Sequence, residues 1–293
     1  MPAKSIFESV LEALHLKPKA QPAPSVPAAP PVPANTYVPK TDLLSLLPAE
    51  LTQLVDVPMP DGDGLASGEL AGIWLRGGKS HKWQHYFQTY ERALAKFRGK
   101  KVRLLEIGVQ HGGSLRMWKT YLGEHATIVG MDLDQACAQH DNPANSIHVR
   151  IGSQADLAFL QSVNAEFGPF DAIIDDGSHL TSHMISTFGY LFDKGLKPGG
   201  PYLVEDIQAT YWTTHRDIPY SFIDFAHEVA DQLHSAYHSQ TGIQFFTPGH
   251  AERIPALPVP RLSTLIDGIE ITDGIVLFHK SSVTRTLPVT ARS

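Results

Sequence analysis

Beyond residue 101 the chain alternates short apolar runs with amphipathic stretches. Apolar runs at 102–108 (VRLLEIG), 126–131 (ATIVGM), 147–151 (IHVRI), 170–175 (FDAIID) and 200–205 (GPYLVE) are strand-length and bounded by glycine or polar residues. Such runs predict buried β-strands. The stretches 114–122, 156–167 and 180–193 carry the helical spacing of apolar positions instead. Strand–helix alternation of this kind predicts a mostly parallel sheet covered on both faces. Near the end, IEIT, then Asp273-Gly274, then IVLFHK predicts two antiparallel strands joined by a tight turn, because Asp-Gly accepts the positive φ angles of such turns. The predicted class is therefore α/β: a doubly wound, Rossmann-like, mostly parallel sheet with a C-terminal antiparallel hairpin.

The first hundred residues read differently. Residues 5–16 predict a short amphipathic helix, with capping-box spacing from Ser5 to Glu8 and with Ile6, Val10, Leu11 and Leu14 on one face. A helix this short is marginal alone, so it needs a surface to dock on: its own body, a sister subunit in a homo-oligomer or another protein, ahead of a membrane surface, which its weakly basic polar face disfavours. The division is then 1–17 for this helix and 18–40 for a Pro/Ala-rich linker, whose composition favours extended chain over a packed core. Residues 41–100 form a helical N-terminal cap, in which Trp83, Tyr86, Phe87, Tyr90, Leu94 and Phe97 recur at helical spacing. The main domain is 101–293.

Composition narrows the function. The net charge is −6, with no large block of like charge, which argues against a nucleic-acid partner. The single cysteine, Cys137, excludes an internal disulfide and a cysteine-based zinc site and fits a reducing cytoplasm. No run reaches the roughly 18 apolar residues of a transmembrane helix, and the first residues lack a secretory signal.

Chemistry concentrates at the carboxyl ends of the predicted strands, where open α/β sheets bind ligands. LLEIGVQHGGSLRMW reads as strand, glycine loop and helix. Gly108 permits the sharp turn, Gly112 and Gly113 permit close approach of a ligand, and the helix opens at Ser114. The Gly-x-x-x-Gly-Gly spacing is not the dinucleotide fingerprint, which lowers the odds of NAD. Asp132 ends the second strand, where an acid can accept both hydrogen bonds of a ribose diol. Ser153 and Gln154, in the GSQAD loop after the third strand, suit an adenine edge. Glu106, inside the first strand, is either a buried hydrogen-bonded carboxylate or a counter-charge for a sulfonium cofactor. A parallel sheet ending in an antiparallel hairpin is what doubly wound methyltransferases have.

FDAIIDDGSHLTSH places Asp175 and Asp176 at the end of the fourth strand, and LVEDIQ places Glu205 and Asp206 at the end of the next. Neighbouring strands lie roughly 4.8 Å apart. Asp176, Glu205 and Asp206 should then converge, and clustered carboxylates repel unless a proton or cation lies between them. Oxygen-only ligands select Mg²⁺, Ca²⁺ or Mn²⁺. The alternative is that these acids cap helices or pair with arginine. His179, close beyond Asp176, is the candidate general base beside such a site, with His183 a weaker one; His111, in the glycine loop, could touch the ligand.

KWQHYFQTYERAL, LLEIGVQHGGSLRMWK, IDDGSHLTSH, LKPGG and LVEDIQATYW, in this order, resemble the macrolide-sugar O-methyltransferase family over roughly residues 79–280. The resemblance implies a class I, S-adenosylmethionine-dependent O-methyltransferase that needs Mg²⁺ (or Mn²⁺) and methylates a sugar hydroxyl of a small glycoside or glycan. It implies Asp176, Glu205 and Asp206 as metal ligands and His179 as proton acceptor. Glu106, Gly108, Gly113, Ser114, Asp132, Ser153, Gln154 and Asp175 would lie along the cofactor. Lys82, His85 and Tyr86 match a stretch that packs near the site, while His81 stands where the family often has Asp. The family's N-terminal auxiliary domain has no counterpart in residues 1–78, so its acceptor is not inherited. Rival expectations are a catechol-type diol as acceptor, a cephalosporin-hydroxylase-like reaction on a similar fold, and a non-catalytic S-adenosylmethionine-binding module.

Overall fold

The structure is a computed structural model in which residues 43–58, 67–77, 80–238, 240 and 242–291 are described. The predicted helix at 5–16 and the linker at 18–40 lie outside them.

The described residues form a seven-stranded sheet. Its strands are β1 (Arg103–Ile107), β2 (Thr127–Asp132), β3 (Ile147–Ile151), β4 (Ala172–Asp175), β5 (Pro201–Glu205), β6 (Ile266–Thr272) and β7 (Ile275–Lys280). The spatial order is β3-β2-β1-β4-β5-β7-β6. The first five strands pair in parallel, and β7 runs antiparallel to both β5 and β6. The predicted hairpin turns at Gly274, whose φ is +77°. The chain reverses its winding between β1 and β4, and the carboxyl edge at that switch is where such sheets take ligands.

The α-helices longer than one turn among the described residues are α1 (Glu69–Gly77), α2 (Tyr86–Leu94), α3 (Gly113–Leu122), α4 (Leu157–Phe167), α5 (Thr181–Tyr190) and α6 (Phe222–Gln232). The period of two in each strand splits the core into two layers. Leu104, Ile128, Ile174, Leu203 and Leu277 point to one face and pack under α1, α2 and α3. Leu105, Val129, Ile173, Val204 and Phe278 point to the other, under α4, α5 and α6.

α2 is fixed by aromatic packing. Tyr90 makes edge-on contacts with Tyr86, Phe87 and Trp118 at centroid distances of 6.1, 6.0 and 5.1 Å, geometries that aromatic quadrupoles favour. The helical spacing seen from Trp83 onward extends too far back, because regular helix begins only at Tyr86 and Trp83 is 52% exposed. The preceding segment, 80–85, instead runs into the carboxyl edge of the sheet and carries Lys82 there.

Candidate active site

Three loops meet at the switch point. β1 ends at Gly108, where φ is +93° and a Cβ would sit 2.0 Å from the carbonyl oxygen of Asp176. The β1 and β4 loops therefore touch through a position only glycine can fill. The third loop follows β5 and holds Glu205 and Asp206.

Asp176, His179 and Asp206 converge as one group, with one ligand atom of each within 4.8 Å of the others. His179 Nε2 lies 3.8 Å from Asp176 Oδ1 and 3.9 Å from Asp206 Oδ2. His179 and Asp206 are held at φ +56° and +54°. That left-handed conformation costs a non-glycine residue on the order of 1–3 kcal/mol and persists where the surroundings over-determine it.

The acids are held from behind by residues spaced four apart: Lys82, Tyr86 and Tyr90. Lys82 Nζ donates to Asp176 Oδ2 at 2.5 Å and to Glu205 Oε2 at 2.9 Å. Tyr90 donates to the same Glu205 oxygen at 2.6 Å. Tyr86 donates to Asp206 Oδ1 at 2.7 Å, joined there by Gln208 at 3.0 Å. Each of the three acids thus has one oxygen tied toward this segment. The other Glu205 oxygen, Oε1, is buried with no partner among the described residues, as is Nδ1 of His179.

Electrostatics follow from this packing. Burial pulls the Lys82 ammonium toward neutrality, but the charges of Asp176, Glu205 and Glu106 outweigh it and hold the proton firmly. Burial, reinforced by Asp176, pushes the Glu205 carboxyl well above its usual range, with Lys82 opposing. Tyr86 and Tyr90 are both pushed up, first by burial and then by their carboxylate neighbours, so they remain donors.

A cavity of about 890 Å³ opens beside the acids and is lined by Lys82, Gly108, Ser114, Asp132, Asp176, His179 and Asp206 among others. A second lobe of about 220 Å³ shares Gly108, Asp132 and Gly177 with it and is lined by Leu133, Ser153, Gln154 and His183. Asp132 sits where the lobes join. Burial raises its carboxyl, but backbone N–H groups of Asp134, Gln110 and Val109 outweigh that and hold it below the usual range. It is an ionised acceptor at neutral pH.

Other expected cofactor residues sit one layer back. Glu106 is fully buried and accepts hydrogen bonds from Ser114 Oγ at 2.7 Å and Trp118 Nε1 at 2.8 Å. Burial pushes its pKa up to about 7. Asp175 is buried against Gln154 Nε2 at 3.1 Å, and burial pushes it to about 7 as well. Gln154 in turn accepts from the Ser178 backbone N–H at 2.7 Å, bracing the loop that carries His179. Gly113 is buried in the first turn of α3. His85 reaches the hairpin turn at the Asp273 carbonyl, 3.1 Å away, and not the acids. His183 bonds Ser178 at 3.0 Å.

Tyr90 and Arg116 were not singled out by sequence. Tyr90 reads as one more aromatic on a core-facing stripe, and only the fold puts its hydroxyl on Glu205. Arg116 lines the large cavity from α3. Cys137 also lines it, but burial, together with Asp132, pushes its thiol up to about 12, so it is no nucleophile at neutral pH.

Sheet order, terminal hairpin and loop chemistry together define the class I, Rossmann-like methyltransferase fold. The chain is 38% identical over 194 residues to 8-demethyl-8-alpha-L-rhamnosyl tetracenomycin-C 2'-O-methyltransferase of Streptomyces olivaceus, a match covering 61% of this chain and 50% of that one. Demethylmacrocin O-methyltransferase of Streptomyces fradiae is 36% identical over 160 residues, 52% of this chain and 38% of its own. Mycinamicin VI 2''-O-methyltransferase of Micromonospora griseorubida is 38% identical over 138 residues, 44% and 33% of the two chains. Among solved structures, the MycE methyltransferase of mycinamycin biosynthesis, in complex with Mg, SAH and mycinamycin VI, superposes with a TM-score of 0.59 at 26% identity. That match covers 73% of this chain and 54% of MycE. No family model matches. The chain thus spans about half or less of the length of these curated relatives. All three are named as O-methyltransferases, and the first as acting on a rhamnosyl compound.

Proposed function

We propose that the protein is an S-adenosylmethionine-dependent, divalent-metal-assisted O-methyltransferase acting on a sugar hydroxyl of a glycoside or glycan. The observation that carries this reading is the convergence of Asp176, His179 and Asp206 at the rim of the cavity that holds Gly108 and Asp132.

The residues fit a hard cation. Asp176 and Asp206 each keep one carboxylate oxygen toward His179, and behind them Glu205 Oε1 is buried with no partner among the described residues. Oxygen donors of this kind suit Mg²⁺ or Mn²⁺. When bound there, such an ion would supply Lewis acidity, lowering the pKa of a coordinated acceptor hydroxyl.

The chain's own residues do the rest. The 220 Å³ lobe, with Ser153 and Gln154, suits the adenine of the methyl donor, and Asp132 its ribose diol. Glu106 and Asp175 act from behind, Glu106 fixing Ser114 and α3, Asp175 fixing Gln154. His179 Nε2, 3.8 Å from Asp176 and 3.9 Å from Asp206, takes the proton of the acceptor hydroxyl. When bound, the methyl donor would supply an electrophilic methyl carbon to that oxygen and would depart as the neutral thioether. The acceptor is taken as a small glycoside or glycan and not a nucleic acid, given the net charge of −6. The lone cysteine is consistent with a cytoplasmic site of action. No described helix is long and apolar enough to cross a membrane.

The test is methyl transfer from labelled S-adenosylmethionine to a panel of glycosides and catechols, with and without chelator. Chelator-sensitive labelling of a glycoside is expected. Donor binding without transfer to any acceptor, or transfer indifferent to chelator, refutes the reading.

A further inference from the structure

Lys82 is an unusual neighbour for a metal site. Its side chain is 2% exposed and its ammonium bridges Asp176 and Glu205. The same ammonium lies 5.9 Å from the centroid of the Tyr90 ring, whose hydroxyl also holds Glu205. Asp176 is the more exposed of the two acids, at 23% against 1% for Glu205. Asp176 thus faces the cavity with its other oxygen toward His179, whereas Glu205 is sealed behind it.

We propose that Lys82 is a tethered placeholder cation: it holds Asp176 and Glu205 together in the metal-free protein and yields Asp176 to the incoming divalent ion while keeping Glu205. The inference rests on the metal reading above and adds how the site is loaded. Clustered acids at a poorly solvated rim repel one another strongly, and a protein that folds before it meets metal needs a cation among them. Lysine suits this task because its charge is a single point on a flexible four-carbon stem, able to release one partner without leaving the other. The Tyr90 face, electron-rich and adjacent, accommodates the ammonium as it withdraws. Metal entry is then an exchange of partners at Asp176, not the filling of an empty cage. Metal affinity is set low by the competing ammonium.

The experiment is Mn²⁺ titration of the full-length protein, free of donor and acceptor, followed by electron paramagnetic resonance of unbound Mn²⁺ and by thermal melting. Lys82→Met removes the competitor, so Mn²⁺ affinity rises by on the order of tenfold, because one positive charge near the ion is gone. The metal-free variant melts below the wild type and gains more from Mn²⁺ than the wild type does. Lys82→Arg keeps the charge and adds a fork that grips both carboxylates, so it binds Mn²⁺ more weakly than the wild type. This second variant decides the matter if the first does not fold. Lys82→Met binding Mn²⁺ no more tightly than the wild type, or Lys82→Arg binding it more tightly, overturns the placeholder role alone. A wild-type protein that binds no Mn²⁺ overturns the metal reading and this inference with it.

Discussion

Tyr90→Phe isolates one hydrogen bond at the back of the acid cluster. The ring stays, so its edge-on contact with Trp118 at 5.1 Å and its burial are preserved. What is lost is a 2.6 Å donor to Glu205 Oε2, leaving that oxygen to Lys82 alone. Glu205 already has one oxygen without a partner among the described residues, and it is 1% exposed. Leaving a buried acceptor short of its donor costs about 1–3 kcal/mol. In a domain of this size each kcal/mol shifts the melting temperature by about 2–4 °C. The metal-free variant should therefore melt about 2–12 °C below the wild type in differential scanning calorimetry at neutral pH. A shift under about 1 °C would refute the reasoning: Glu205 would then be held by Lys82 unaided and Tyr90 would be only a core aromatic.

Two further outcomes follow from the site. His179→Ala should lower turnover by about 10²–10⁴-fold, the usual worth of a positioned base, while calorimetry shows binding of the demethylated cofactor nearly unchanged; unchanged turnover removes His179 from the mechanism. Glu106→Gln tests a pH dependence. The folded state keeps the Glu106 proton up to about pH 7, whereas an unfolded carboxyl releases it near its usual value. The unfolded state binds fewer protons between those limits, so this residue's contribution is fully present at low pH and is lost as pH rises toward 7. The loss is on the order of 3 kcal/mol. Melting temperatures of wild type and variant, measured from pH 5 to pH 8, should show a steeper decline in the wild type; parallel curves would mean that Glu106 is ionised in the fold throughout.

Much of the fold was legible because its signals are local. Each predicted strand appears within a few residues of its expected place, since the apolar runs are short and sharply bounded. Asp273-Gly274 marked the hairpin because that turn needs positive φ. Gly108, Asp132, Asp176, Glu205 and Asp206 were legible as a group because strand ends in a parallel sheet share one edge. The failures have a common physical cause, which is distance along the chain. Nothing near Lys82 announces an ion pair with Asp176, and nothing near Tyr90 announces Glu205. Glu106 was readable as either a buried acid or a cofactor neighbour, and the choice depended on where Ser114 and Trp118 of α3 would point. Trp83 shared the apolar spacing of the helix that follows it, but spacing carries no information about where the first hydrogen-bonded turn begins.

The tie from Lys82, Tyr86 and Tyr90 changes how the N-terminal cap should be regarded. Sequence separates a helical cap at 41–100 from the domain that holds the glycine loop and the acids. In the structure three side chains from that cap each fix an oxygen of an acid at the sheet edge. Removing one partner of a buried charged pair is far more costly than never having built it, because the remaining charge stays buried. Residues 80–94 are consequently as much a part of the site as the loops after β4 and β5. Tyr86 reaches the hairpin as well, donating to Asp206 at 2.7 Å and to the Gly274 carbonyl at 3.2 Å. A Cβ at Gly274 would lie 2.1 Å from that same hydroxyl, so the tight turn is also what lets Tyr86 reach Asp206. The C-terminal hairpin, the cap helix and the acid cluster are thus one mechanical unit.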